Sequence, residues 1–297
     1  MRAQRYELRD RVVLITGAAR GIGAETARRL VARGAQVAIL DIDAAAARRV
    51  AAELDGAAVA FHADATDWAS LNAAIAGTVE RFGGIDVVVA NAGIAGPTAT
   101  VRTIEPETFE RVIEINLLGV WRTIRAALPS IVERRGYVLA VSSAAAAMSM
   151  PLWAAYAASK AGCEAFARSL RSELAHTGTR VGVAYFGEIK TDMTDGILTS
   201  PAARKAYETV PKFMSGAIPV QRAGAAIVRG IERRANVVSA PRYVRTLLKW
   251  RGQLAALDGR MAGDERMIEA IRLAEAEASR DGGLPGPAAA PAEARAR

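Results

Sequence analysis

The chain has 297 residues, 51% of them hydrophobic, with one cysteine, two histidines and a formal net charge of +8. That length suffices for one large α/β domain with a sizeable core. A single cysteine, Cys163, excludes an internal disulfide, and with His62 and His176 far apart in sequence no metal site is expected.

The opening residues lack the apolar core of a secretory leader, and no apolar run reaches the roughly 20 residues that span a bilayer. A soluble, cytoplasmic protein is the expectation. The arginines come as scattered pairs near the ends of helical segments, where they complement the helix dipole. No nucleic-acid motif accompanies them, so no nucleic-acid partner is expected.

From the N-terminus, VVLIT at 12–16 reads as a buried strand. It runs directly into TGAARGIG, where Gly17, Arg20, Gly21, Ile22 and Gly23 lead into a helix over about 21–33. Glycines at such a turn let the backbone approach a pyrophosphate at the helix N-terminus, where free N–H groups favour an anion. A second strand, 36–41, ends on Asp41, 18 positions after Gly23. A carboxylate there accepts hydrogen bonds from an adenosine ribose and repels a 2′-phosphate, which favours NAD. Arg20 argues the other way and keeps NADP as the second cofactor. Asp43, rather than Asp41, is the expected cap of a helix over 44–54.

Apolar runs at 57–64, 86–91, 137–143, 180–186 and 237–240 then alternate with helical patterns at about 67–82, 107–134, 152–176 and 223–234. Strands this apolar on both faces fit a parallel sheet covered by helices on each side, a doubly wound α/β fold. One α/β domain is expected over 1–241, a helical extension over 242–280, and a disordered Pro/Gly/Ala-rich tail over 281–297. In the extension, Tyr243, Leu247, Leu254 and Leu257 fall near one face of a basic helix over 242–260. Packing on the chain's own domain or on a neighbouring subunit is expected there in preference to peripheral membrane contact.

Three features sit where such a sheet binds ligands, at the carboxyl ends of its strands. Ser143 closes the fifth strand, Tyr156 and Lys160 stand one turn apart in a helix of small residues, and Asn116 interrupts the apolar INLLGV. With TGAARGIG, DATD, ANAG, NLLG, VSS, YAASK and FGEIKTDM in this order between about Arg11 and Pro241, the chain resembles the short-chain dehydrogenase/reductase family.

The resemblance implies a seven-stranded Rossmann-like sheet, an NAD(P)-dependent oxidoreductase and a homodimer or homotetramer. It also implies the catalytic tetrad Asn116, Ser143, Tyr156 and Lys160, the last two also meeting the cofactor. By the same carry-over Asp64 and Ala65 flank the adenine, and Asn91, Ala92 and Gly93 line the nucleotide. Gly187, Ile189 and Thr191 reach the nicotinamide end. Two positions depart from the family pattern: Ala90 replaces an Asn, and Phe186 replaces a Pro before Gly187, which implies an altered loop there.

A free phenol ionises near pH of about 10, and a cation one turn away favours the phenolate. Tyr156 is therefore expected to act as general acid/base. The resemblance further implies that Ser143 holds the substrate oxygen, Lys160 the nicotinamide ribose, and that Asn116 supports a water chain. Ala145, Met150, Trp153 and Met193, with Ser143 and Tyr156, are the expected pocket residues, and Phe213 is a further candidate. Their character points to a bulky apolar secondary alcohol or ketone. Two readings compete: an NADPH-dependent ketoreductase for carrier-bound acyl chains, against which Asp41 argues, and a non-catalytic nucleotide sensor, against which the complete tetrad argues.

Overall fold

Successive residues of a strand point to opposite faces of its sheet, so a strand apolar throughout serves two cores. In β1 (Val12–Thr16), Val13 and Ile15 belong to one buried cluster and Leu14 to the other. The same alternation holds for β2 (Gln36–Asp41), β4 (Val87–Ala90) and β5 (Tyr137–Val141). The computed structural model describes residues 5–212, 214–256, 258–259 and 263–280. The expectations for Phe213, Leu257 and the tail 281–297 lie outside these residues.

With β3 (Ala58–His62), β6 (Arg180–Phe186) and β9 (Val237–Ala240), the strands form one seven-stranded sheet ordered β3-β2-β1-β4-β5-β6-β9. Every neighbouring pair is parallel. The order reverses between β1 and β4, and this switch point opens a crevice at the strands' carboxyl ends. Helices α1 (Gly21–Val31), α2 (Ala44–Ala52) and α9 (Val220–Glu232) cover one face. The other is covered by α3 (Trp68–Phe82), α5 (Gly119–Glu133) and α6 (Ala154–Glu173).

The expected single helix over 107–134 is three pieces: α4 (Pro106–Ile113), a π-helical turn over Glu114–Leu118, and α5. In the turn the Gly119 N–H reaches back five residues to the Glu114 carbonyl. The turn keeps the chain helical and changes only the hydrogen-bond spacing, so the segment reads as one helix. The fifth strand stops at Val141 instead of running to 143, and Ser143 instead caps a 3₁₀ turn over Ala144–Ala147.

Beyond β6 lies a segment that the hydrophobic pattern marks as neither strand nor helix. A two-residue ladder joins β7 (Ile189–Lys190) to β8 (Ile218–Pro219), and short helices α7 (Asp192–Ile197) and α8 (Pro201–Tyr207) lie between them in the chain. In the extension, α10 (Arg242–Ala255) buries Val244 and Leu247 in the core shared with α5 and α6, while α11 (Glu265–Arg280) packs on α8. Among the described residues no helix is long and apolar enough to cross a membrane.

Candidate active site

The turn after β1 explains its glycines. Gly17 and Gly21 have φ of +64° and +55°, the left-handed region that side chains avoid. A β-carbon on Gly23 would lie 2.4 Å from the Gly17 carbonyl oxygen and 2.8 Å from the Ala18 Cα, so only glycine lets α1 approach the loop. Ile22, beside it, is half-buried. Helices α2 and α3 are capped by the side chains of Asp43 and Asp67, whereas Arg20 at the N-cap of α1 is exposed and makes no capping bond. The first N–H groups of α1 are thus left without a side-chain acceptor, which suits an anionic group.

Asp41, 7% exposed, accepts the Ala19 N–H at 2.9 Å on Oδ2 and the Asp43 N–H at 3.0 Å on Oδ1. A carboxylate has about four lone-pair sites, so acceptor capacity remains for a ribose diol. Asn91 turns its amide to the carbonyls of Thr16 and Gly17, each at 3.0 Å, and its own N–H donates to Thr16 Oγ1 at 3.1 Å. Its side chain therefore braces the glycine loop, and Thr16 is a site residue that sequence reasoning passed over as plain strand. Ala92 adds its N–H to the same hydroxyl at 3.3 Å. Asp64 accepts both the N–H and the hydroxyl of Thr66 at 2.8 Å. Burial pushes its carboxyl up, but these bonds and the nearby Arg111 hold it below the ordinary value. Ala65 abuts Gly119, where a β-carbon would come within 3.0 Å of its own.

Two of the tetrad candidates meet at Gly93, where a β-carbon would stand 3.0 Å from Asn116 Oδ1 and 3.4 Å from Lys160 Nζ. Asn116 is fully buried on the π-helical turn. Its Oδ1 accepts the Ile94 N–H at 2.8 Å, and its Nδ2 donates to the Ile94 carbonyl at 2.8 Å and to Ser159 Oγ at 3.1 Å. Both amide hydrogens are consumed, so the side chain ties the loop after β4 to α6. Ser159 in turn donates to the Tyr156 carbonyl at 2.7 Å.

Lys160, buried, donates from Nζ to the Val141 carbonyl at 3.0 Å and stands 5.7 Å from the centroid of the Tyr156 ring. Ser142 donates to the Lys160 carbonyl at 2.8 Å. Ser143 accepts the Ala145 N–H at 3.2 Å and donates to the Phe186 carbonyl at 3.3 Å. Burial pushes the neighbouring Cys163 thiol up, Lys160 offsetting only part of this, so Cys163 is a packed hydrophobe rather than a nucleophile.

The strand carries on through Phe186, which is buried, and Gly187 still donates to the Ala240 carbonyl at 3.0 Å. The replaced proline has therefore not pulled this segment from the sheet edge. Ile189 puts its side chain into the core with α1 and α9, leaving only its backbone to face a ligand. Thr191 lies with its methyl group 3.6 Å from where a Gly21 β-carbon would be. Of the pocket candidates, Ala145 and Trp153 are buried, Met150 is half-buried and Met193 is 43% exposed on α7. Tyr207 meets Trp153 edge-on at 6.1 Å between centroids. Burial, with Glu188, Tyr156 and Tyr243 nearby, pushes the Tyr207 phenol up to about 12. Tyr207 is not singled out by the sequence, because only the fold of the chain after Gly187 brings it near Tyr156.

A glycine-built anion cradle at the switch point, beside a buried lysine and a tyrosine, defines an NAD(P)-dependent oxidoreductase of the dinucleotide-binding fold. The chain belongs to the short chain dehydrogenase family, whose model matches residues 11–201. It is 36% identical over 197 residues to the trans-4-hydroxycyclohexanecarboxylate dehydrogenase of Sinomonas cyclohexanicum, covering 63% of this chain and 76% of that protein. It is 35% identical over 203 residues to the 2-(R)-hydroxypropyl-CoM dehydrogenase of Xanthobacter autotrophicus, covering 66% and 81%. A solved 3-ketoacyl-(acyl-carrier-protein) reductase from Brucella melitensis, complexed with NADH, superposes with a TM-score of 0.72 at 29% identity over 78% of this chain and 97% of that one. The enzyme acts on alcohol or ketone substrates, as its family does, and the sensor reading falls away.

Proposed function

We propose that this enzyme interconverts a bulky, apolar secondary alcohol and its ketone, with NAD as the preferred cofactor and Tyr156 as the proton carrier. One observation carries the reading: Lys160 is held by the Val141 carbonyl beside the Tyr156 ring, and Tyr156 borders an apolar cluster containing Leu152 and Trp153.

The turn at Gly17–Gly23 and the N-terminus of α1 would hold the pyrophosphate, Asp41 the adenosine ribose, and Lys160 the second ribose. A bound nicotinamide supplies hydride exchange with the substrate carbon. Tyr156 takes the alcohol proton at its phenolic oxygen in oxidation and returns it in reduction. Ser143 would turn its proton from the Phe186 carbonyl to the substrate oxygen. Asn116 is a positioning residue that fixes the Ile94 loop against α6, a role distinct from the water-chain support expected from the family. The apolar lining rewards buried area at roughly 25 cal/mol per Å².

We further propose a homo-oligomer. Trp68 of α3 and Trp121 of α5 stack at 5.6 Å between centroids and are 40% and 41% exposed, and Leu118, three residues before Trp121, is also exposed. A stacked aromatic pair partly open to water supports a face that a second copy covers.

The deciding measurement is oxidation of NADH and NADPH with a panel of ketones of graded size and polarity. Higher kcat/KM for sugars or small diols than for apolar ketones would sink the pocket reading. A preference for NADPH together with carrier-bound acyl ketones would favour the ketoreductase alternative.

A further inference from the structure

Helix α11 lies beyond the family match, which ends at residue 201. Its Met267, Ala270 and Ala274 are buried with Ala202, Ala203 and Ala206 of α8 and with Trp153, and both Tyr156 and Ile271 pack against this cluster. Alanine on both helices allows the close approach. A seven-residue helix such as α8 has no stability of its own in water, so its place depends on the partner that covers its apolar side.

Polar ties run from the same helix to two separate parts of the chain. Glu275 accepts from Arg102 at 3.2 Å and from Thr100 at 3.5 Å, both on the loop after β4. On the other side Glu277 accepts from Ser200 at 3.1 Å, and Glu269 pairs with Lys205 at 2.8 Å. Arg266 donates to the Glu208 carbonyl at 2.8 Å. The loop that Glu275 holds is the one whose Ile94 end is fixed by Asn116, and its residues Pro97, Val101 and Ile104 line a narrow apolar cleft with Trp153 and Tyr156. A single helix thus grips both segments that flank Tyr156.

We infer that α11 is the outer wall of the substrate site: it clamps the loop 94–104 and the α7–α8 segment around Tyr156, and Ile271 limits the bulk accepted beside Trp153. This rests on the reading of Tyr156 as proton carrier. Each exposed pair is weak alone, but together with the alanine seam they make the position of both segments a property of the C-terminal helix.

Two measurements test it. In the Glu269→Ala/Glu275→Ala double variant the alanine seam is intact, so the fold persists. Hydrogen exchange should quicken in 98–104 and 198–208 and stay unchanged in the sheet; unchanged exchange in both segments overturns the clamp. The second compares Ile271→Trp and Ile271→Ala on NADH-dependent reduction of ketones of rising size. Ile271→Trp should lower kcat/KM for the bulkiest ketone relative to the smallest by about tenfold or more, Ile271→Ala should move the ratio the opposite way, and NADH affinity should hold. A ratio unmoved by both overturns the wall. A wild type that binds NADH yet reduces no ketone overturns the dehydrogenase reading instead, and the exchange measurement, which needs no turnover, still judges α11.

Discussion

Lys160 is held at both ends by consecutive residues of one strand terminus: its Nζ donates to the Val141 carbonyl at 3.0 Å and its own carbonyl accepts from Ser142 at 2.8 Å. Its charge is therefore a fixed feature of the site, set beside the Tyr156 ring. An ammonium so placed needs no further ordering to act near the Tyr156 ring.

Tyr156→Phe keeps the ring and its contact with Lys160 and removes only the hydroxyl. Turnover should fall by about 10²- to 10⁴-fold, with NADH affinity unchanged in a fluorescence titration. Retention of more than a few per cent of wild-type activity would show that another group moves the proton.

Cofactor choice should follow the charge at Asp41. Asp41→Asn keeps an oxygen for the Ala19 N–H and removes the negative charge at the loss of the Asp43 N–H bond, whereas Asp41→Ala loses both bonds. The ratio of kcat/KM for NADP to that for NAD should rise by about tenfold, the equivalent of about 1.4 kcal/mol. A wild type that already prefers NADP contradicts the assignment.

Glycine at 23 should be irreplaceable where glycine at 252 is not. Gly23→Ala forces its β-carbon onto the Gly17 carbonyl and should cost about 1–3 kcal/mol of stability, with NADH binding weakened. Gly252 lies within α10 with nothing within 4 Å of a β-carbon, so Gly252→Ala should stabilise by roughly 1 kcal/mol. Thermal and urea unfolding of the two variants side by side gives the answer.

Trp121→Arg should break the assembly if the Trp68–Trp121 face is covered by a second copy. Light scattering behind size exclusion would then report a smaller species than wild type, with the far-UV spectrum preserved. An unchanged mass places the interface elsewhere.

The seven strands were legible because each is a continuous apolar run, and β1, β2, β6 and β9 occupy the residues read from the sequence. Strand ends were less so: Ser142 and Ser143 continue the extended pattern, but the ladder to β6 ends at Val141. The π-helical turn was hidden because it changes hydrogen-bond spacing and not composition. Helices α7 and α8, of six and seven residues, are shorter than any window in which a 3.6-residue period shows. The tetrad candidates come from motif spacing, which fixes where residues stand but not what they hold. Hence Asn116 appears as a tie between loop and helix, Asn91 as a brace on Thr16 and Gly17, and Tyr207 not at all until the chain after Gly187 folds back.

The double hold on Lys160 also bears on how such an enzyme diversifies. The docking of α6 on β5 is secured by bonds from 141–142 to Lys160, and none of these involves the connection over 144–153, which carries Ala145, Met150 and Trp153. The half-buried positions of that connection, Met148 and Met150 among them, can therefore change in descendants while the hold on Lys160 stays put. Heritable change in what is recognised is thereby separated from heritable change in what is done to it.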